Sequence, residues 1–169
     1  MRSLVPDHVR LDRLRNQLLS DLSNYQKDPV VYGAILREDF YHNINCVGPI
    51  RTGVFTKDAL KLGRSKVTQD HINAPRRMCD VLLTYPDLLF DVDKYYEVVQ
   101  YARYTIGVTV EQNIMVKQRA DGSIHDLSVH VYSNIPTLWY EDTKGYTKQF
   151  PTHLIYPKLT EYEHTLLTL

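Results

Sequence analysis

The chain has 169 residues, which is the usual size of one folded domain. Hydrophobic residues make up 43% and charged residues 24% of the sequence, a composition typical of globular proteins that excludes an intrinsically disordered chain. The 20 Lys and Arg residues balance 20 Asp and Glu residues. The chain as a whole therefore lacks the net positive charge that is typical of nucleic-acid-binding proteins.

Apolar runs in the sequence are far shorter than the roughly 20 residues that a membrane span requires. Residues 1–8 have no apolar segment of the kind found in secretory signals. We therefore expect a cytoplasmic protein with no membrane partner. Cys46 and Cys79 are too few for a disulfide framework and do not form a Cys-x-x-Cys pair, so both are predicted to be buried or free thiols.

Helical patterns dominate the first half of the sequence. Apolar residues at three- and four-residue spacing predict an amphipathic helix over residues 8–26, namely Leu11, Leu14, Leu18, Leu22 and Tyr25. Pro29, after Asp28, favours a second and shorter helix that ends before an irregular stretch at 43–49. Residues 50–62, which contain Gly53, are predicted to be an extended strand or hairpin.

Two further helices are predicted in the middle of the chain. One begins at Pro75 and ends before Pro86, and the next is capped by Asp91 or Asp93. A buried side is predicted for the latter helix at Tyr95, Val98, Val99 and Ala102.

The last third of the sequence combines a short helix with strands. Thr109 and Gln112 have the spacing of a capping box, which predicts a helix through Lys117. Asp121-Gly122 is typical of a turn, and residues 138–140 and 146–150 are predicted to form a β-hairpin. The sequence thus predicts a single α+β domain over residues 1–169.

The most suggestive chemical feature is Asp70-His71, which closes a predicted extended segment and precedes a helix. A histidine can take the proton from a water that attacks phosphorus, and an adjacent carboxylate can hold a divalent ion. A structural histidine beside a helix-capping aspartate is the competing interpretation, and it has about equal weight.

This arrangement resembles the Asp-His-Ile element of the HNH (ββα-metal, His-Me finger) endonucleases, including the small phage-encoded and free-standing homing enzymes. The resemblance implies a small ββα-metal-like site in an α+β fold with a helical N-terminal half and a C-terminal β-hairpin. It also implies hydrolysis of phosphodiester bonds in double-stranded DNA with a divalent metal, Mg²⁺, as cofactor. For a phage-encoded enzyme, the cytoplasm would be that of the bacterial host, and a homodimer is left open.

The same resemblance assigns roles to individual residues. His71 is the expected general base and Asn113 the residue that orients it. Asp70 is the expected metal ligand, joined by His130 or Asn134. The separation from His71 to Asn113 is longer than in compact members of the family, because a helix pair is predicted between them. No cysteine quartet is present to bind structural zinc.

Basic residues flank Asp70-His71 on both sides, as phosphate contacts would if DNA crosses the site. The predicted DNA-binding residues are Arg51, Arg64, Lys66, Arg76 and Arg77. An ordinary solvated charged face explains these residues about equally well.

Two alternatives to an HNH-like enzyme stay open. A PD-(D/E)xK-like nuclease could use Glu38-Asp39 with Asp126 and Lys144, although the required acid-x-Lys spacing is not found. A non-catalytic protein-binding or virion-associated module would suit the neutral, tyrosine-rich chain. The sequence has no Gly-rich phosphate loop, Gly-x-Ser-x-Gly motif or dinucleotide fingerprint.

Overall fold

A computed structural model describes residues 5–62 and 66–113 and the backbone of two later strands. Within that part of the chain, helices and strands follow one another in this order: α1 Asp7–Lys27, α2 Pro29–Val47, β1 Ile50–Thr56, α3 Lys57–Leu62, β2 Val67–His71, α4 Pro75–Thr84, α5 Asp87–Phe90, α6 Val92–Arg103, β3 Tyr104–Thr109, β4 Leu138–Glu141 and β5 Thr147–Gln149. The predicted α+β class is confirmed.

The chain divides into two compact units. The helical unit comprises Met1–Ile50 and Ala74–Arg103, and the sheet unit comprises Arg51–Asn73 and Tyr104–Leu169. Each unit therefore draws on two separate stretches of sequence. The interpretation of residues 1–169 as a single domain stays a prediction.

Helix α1 confirms the first predicted helix almost to the residue. Leu11, Leu14 and Leu18 are buried along one side, as their spacing requires. The Tyr95 hydroxyl of α6 donates to the Leu11 carbonyl oxygen over 2.8 Å, which gives the fully buried phenol a partner. Arg15 donates to the carbonyl oxygen of Leu89, at the end of α5, over 2.7 Å.

Helix α2 is longer than predicted. Asp28 caps it by accepting from the Val31 amide over 3.1 Å, and Pro29 occupies the first turn. The prediction of an irregular stretch at 43–49 was wrong for most of its length, because the buried stripe continues from Phe40 to Ile44. The helix ends before Gly48, whose φ of 94° belongs to a region that other residues rarely adopt.

Helices α4 and α6 begin where proline and aspartate predicted them. Helix α4 starts at Pro75 and ends at Thr84, before Pro86. Asp91 caps α6 by accepting from the Lys94 amide over 3.1 Å. All four residues predicted for the buried side of α6 are buried: Tyr95, Val98, Val99 and Ala102.

The sheet has the strand order β2-β3-β1-β4-β5. Strands β2 and β3 are antiparallel, as are β1 and β4, and β4 and β5. The prediction of extended structure over 50–62 was right for β1 and wrong for residues 57–62, which form α3. Residues 142–146, the turn of the predicted C-terminal hairpin, lie outside the described residues, and that hairpin stays a prediction.

The capping box after β3 is confirmed in both directions. The Gln112 amide donates to Thr109 Oγ1 over 3.1 Å, and the Thr109 amide donates to Gln112 Oε1 over 3.0 Å. Residues 110–113 are helical. The predicted continuation through Lys117 and the turn at Asp121-Gly122 lie outside the described residues. In the part of the chain that the structure describes, no helix is long and apolar enough to cross a membrane.

Candidate functional site

His71 is the last residue of β2, opposite Thr105 near the start of β3. The ladder extends one step further, because the Ile72 amide donates to the Tyr104 carbonyl oxygen over 2.9 Å. Residues 72–74 then lead directly into α4. The predicted context of a strand, a histidine and a following helix is therefore confirmed.

Pairing between β2 and β3 fixes which side chains share a face. In an antiparallel ladder, residues opposite each other lie on the same face and sequence neighbours lie on opposite faces. Thr105 Oγ1 donates to Gln69 Oε1 over 3.0 Å, which confirms that these two side chains share a face. His71 is two residues beyond Gln69 and opposite Thr105, so it belongs to the same face.

Asp70 lies on the other face of β2. Its partner across the ladder is Ile106, which is fully buried. The two adjacent residues expected to work side by side therefore leave the strand in opposite directions. This alternation argues against a carboxylate of Asp70 that holds an ion next to the His71 imidazole.

Burial governs the protonation of His71. The side chain is partly shielded from solvent, and desolvation lowers the pKa of its imidazole below the ordinary value of 6.5. The charged form loses more hydration than the neutral form when a group is buried, which is why the pKa falls. At neutral pH the imidazole is therefore uncharged and able to accept a proton.

Strand β1 brings further polar groups to the His71 end of the sheet. Thr52 Oγ1 donates to the Thr105 carbonyl oxygen over 2.8 Å, so the start of β1 lies beside the start of β3. Arg51, the preceding residue, is exposed at this end. Gln69, Thr105 and Thr52 were missed by sequence reasoning. Only Gln69 could have been found from the sequence, because it lies two residues before His71 on a predicted strand and so shares its face.

Asn113 is not brought to His71 by the ladder. It ends the described helical turn that follows Thr109, and Thr109 pairs with Val67 at the opposite end of β2. Val67 and His71 are four residues apart, or about 13 Å at about 3.3 Å per residue. The other residues expected to bind metal, His130 and Asn134, lie outside the described residues.

The predicted DNA-binding residues have different environments. Arg51 and Lys66 are exposed, whereas Arg64 lies outside the described residues. Arg77 is only 6% exposed, so its guanidinium is poorly placed to reach a phosphate. Arg76 is exposed, but its guanidinium is already paired with the Glu38 carboxylate.

Arg76 binds both oxygens of Glu38, with Nε 2.7 Å from Oε1 and Nη2 3.0 Å from Oε2. Its guanidinium also lies 4.3 Å from the centre of the Tyr41 ring. Glu38 and Asp39 are on helix α2, and Asp39 accepts from Gln17 over 2.8 Å. Both acids are therefore already engaged within the helical unit, whereas the other residues of the PD-(D/E)xK-like alternative, Asp126 and Lys144, lie outside the described residues.

Within residues 5–62 and 66–113, no three acidic, histidine or cysteine side chains converge on a point where an ion could be held. Comparison of the chain with known protein families, curated proteins and solved structures found no match.

Proposed function

We propose that this chain is a metal-dependent DNA endonuclease of the HNH-like kind, with His71 as the general base. The observation that carries the proposal is a neutral, partly buried imidazole at the end of a strand that pairs with an antiparallel neighbour. A histidine on one of two antiparallel strands is part of what the resemblance to ββα-metal nucleases implies.

The chemistry assigned to His71 follows from its protonation state. The neutral imidazole takes a proton from water as the water oxygen attacks phosphorus, and the bond from phosphorus to the leaving oxygen breaks. A base whose pKa is lowered from 6.5 by burial is deprotonated at neutral pH and so ready for this role. Arg51, exposed at the same end of the sheet, is suited to bind a backbone phosphate.

The proposed divalent ion has weaker support than the general base. Carboxylate oxygens are the ligands that Mg²⁺ prefers, and Asp70 is the carboxylate nearest to His71 in sequence. Because Asp70 lies on the opposite face of β2, the described residues alone do not fit a magnesium site beside the imidazole. Metal dependence therefore rests on the resemblance.

Cleavage of plasmid DNA tests the proposal. Purified protein is incubated with supercoiled and linear DNA, with magnesium or with a chelator. His71→Ala should lower the cleavage rate by about 10²- to 10⁴-fold, the usual contribution of positioned proton transfer, while circular dichroism and DNA binding stay nearly unchanged. His8→Ala removes an exposed histidine from α1 and is the matched control. A fully active His71→Ala protein would exclude the HNH-like assignment.

Three more variants separate the proposed roles. Because Asp70 leaves β2 on the face opposite His71, Asp70→Ala should keep the parent response to a magnesium titration, and a changed response would restore Asp70 as a metal ligand. Asn113→Ala should likewise keep the parent rate, because Asn113 follows Thr109 at the other end of β2. Arg51→Ala should weaken DNA binding and flatten its salt dependence by about one unit of slope.

A protein-binding module is the second candidate, and exposed apolar residues on α2 favour it. Val30 is 78% exposed, and Val31 and Ile35 are each 51% exposed. Clustered apolar side chains of this kind often mark contact surfaces. Absence of cleavage under every metal condition would favour this function.

A further inference from the structure

A cavity of about 190 Å³ lies in the helical unit, against helices α1 and α2. The residues around it are Val5, Arg10, Arg13, Leu14, Gln17 and Asn43. Four of these six side chains end in a guanidinium or a carboxamide. This combination of donors in one concavity is unlike the solvated charge of an ordinary helix surface.

Helical spacing explains why the polar groups meet. Arg10, Arg13 and Gln17 are three and four residues apart, so they project from one side of α1. Asn43 faces them from α2, where its Oδ1 accepts from Arg10 Nη1 over 3.4 Å. A hydrogen bond of that length is weak.

The charge of the cavity is positive. Arg10 and Arg13 contribute two guanidinium groups, and Arg13 forms no ion pair with any residue in 5–62 or 66–113. Asp39 is not among the residues around the cavity, and its Oδ2 already accepts from Gln17 Nε2 over 2.8 Å. Leu14, 2% exposed, gives the cavity an apolar wall that excludes some water.

We propose that this cavity binds a phosphate group, free or as a monoester. Two guanidinium groups match the charge of a phosphate dianion, and each can present paired N–H donors to its oxygens. Asn43 Nδ2 and Gln17 Nε2 already donate to Asp39, each over 2.8 Å, so the two guanidinium groups carry the recognition of the phosphate. Since a water molecule takes about 30 Å³ in the liquid, the space holds a phosphate with some of its waters. This site belongs to the helical unit and does not depend on the proposed nuclease activity.

Titration of the full chain with inorganic phosphate, followed by ³¹P NMR or calorimetry, tests the site. Chloride at equal ionic strength corrects for general screening. Arg13→Gln should weaken phosphate binding by about tenfold to a hundredfold, the usual effect of losing a charge-assisted hydrogen bond. Lys27→Gln removes the same charge from the far end of α1 and should leave the affinity unchanged.

Arg10→Gln should weaken binding by a similar factor, with circular dichroism used to confirm that the variant folds. A parallel titration with a nucleoside monophosphate identifies the source, because tighter binding than inorganic phosphate indicates an ester ligand and weaker binding indicates the free ion. If phosphate has no effect beyond that of chloride, the proposal is wrong. It is equally wrong if Lys27→Gln weakens binding as much as Arg13→Gln.

Discussion

Cys46 and Cys79 differ in burial, and burial decides the chemistry of each thiol. Cys46 is exposed at the C-terminal end of α2, with its Sγ 3.5 Å from His42 Nε2. Cys79 is fully buried in α4, and desolvation raises the pKa of its thiol well above the ordinary value of 9.0. Thiolate, not thiol, attacks alkylating reagents, so the two residues should react at very different rates.

We expect iodoacetamide to modify one cysteine in the native protein and two in denaturant. Mass spectrometry of the intact chain gives the number of modified thiols, and peptide mapping identifies them. Cys46→Ser should abolish native labelling. Equal native labelling of Cys46 and Cys79 would contradict the buried position of α4.

Individual residues also show why the candidate site could be predicted only in part. The position of His71 at a strand end before a Pro-started helix follows from local sequence, because turns and proline act over a few residues. The separation of Asp70 from His71 onto opposite faces follows from the alternation of side chains along any strand, so the predicted extended segment already argued against a side-by-side pair. Burial of Arg77 depends on packing between helices, so its charge alone suggested a surface role that its 6% exposure argues against.

At the scale of elements, helix α1 gives the clearest stability prediction. Leu18 is fully buried, and its replacement by alanine leaves a cavity that neighbouring helices cannot fill. Leu18→Ala should lower the free energy of unfolding by about 2 to 5 kcal/mol, measured by urea denaturation followed by circular dichroism. Leu14→Ala should act similarly, since Leu14 is 2% exposed.

Val30→Ala is the matched control for these core variants. Val30 is an apolar residue on α2 that is 78% exposed, so its truncation should change stability by no more than about 0.5 kcal/mol. If Leu18→Ala unfolded at the same urea concentration as the parent protein, helix α1 would not be docked through its leucine side.

Element boundaries followed the sequence where capping chemistry was explicit. Asp28, Pro75, Asp91 and the Thr109–Gln112 pair each mark an observed helix start. The predictions failed at 43–49 and 57–62, where no local signal was strong. At 43–49, burial of Ile44 extends helix α2 beyond the predicted end. At 57–62, the chain forms helix α3, in which Ala59 is buried. In both places packing outweighs a weak local preference.

For the whole molecule, the sequence predicted the α+β class but not the division into units. The chain passes from the helical unit to the sheet unit after Ile50 and returns to the helical unit at Ala74. It enters the sheet unit a second time at Tyr104. Strand β2 thus pairs with a strand more than thirty residues later, across the inserted helices α4, α5 and α6. Pairing over such a distance depends on long-range contacts, which hydrophobic periodicity within short windows does not report.

The pH dependence of global stability follows from the burial of His71. Its pKa in the folded protein lies below the ordinary 6.5, so above pH 6.5 the imidazole is neutral in both folded and unfolded chains and its full contribution to stability is present. As the pH falls below 6.5, the unfolded chain binds a proton that the folded chain does not. Stability should therefore decrease toward the folded pKa, with a slope of at most about 1.4 kcal/mol per pH unit.

Urea midpoints measured between about pH 7.5 and about pH 5.5 should show this loss in the parent protein and a smaller one in His71→Gln. Glu38 and Asp91 have pKa values below their ordinary 4.5 and 3.8, so their contributions are lost only in more acidic solution and do not obscure the window. An identical slope in His71→Gln and the parent protein would mean that the imidazole is as well hydrated in the folded chain as in the unfolded one, and the proposal of a neutral general base at His71 would lose its physical support.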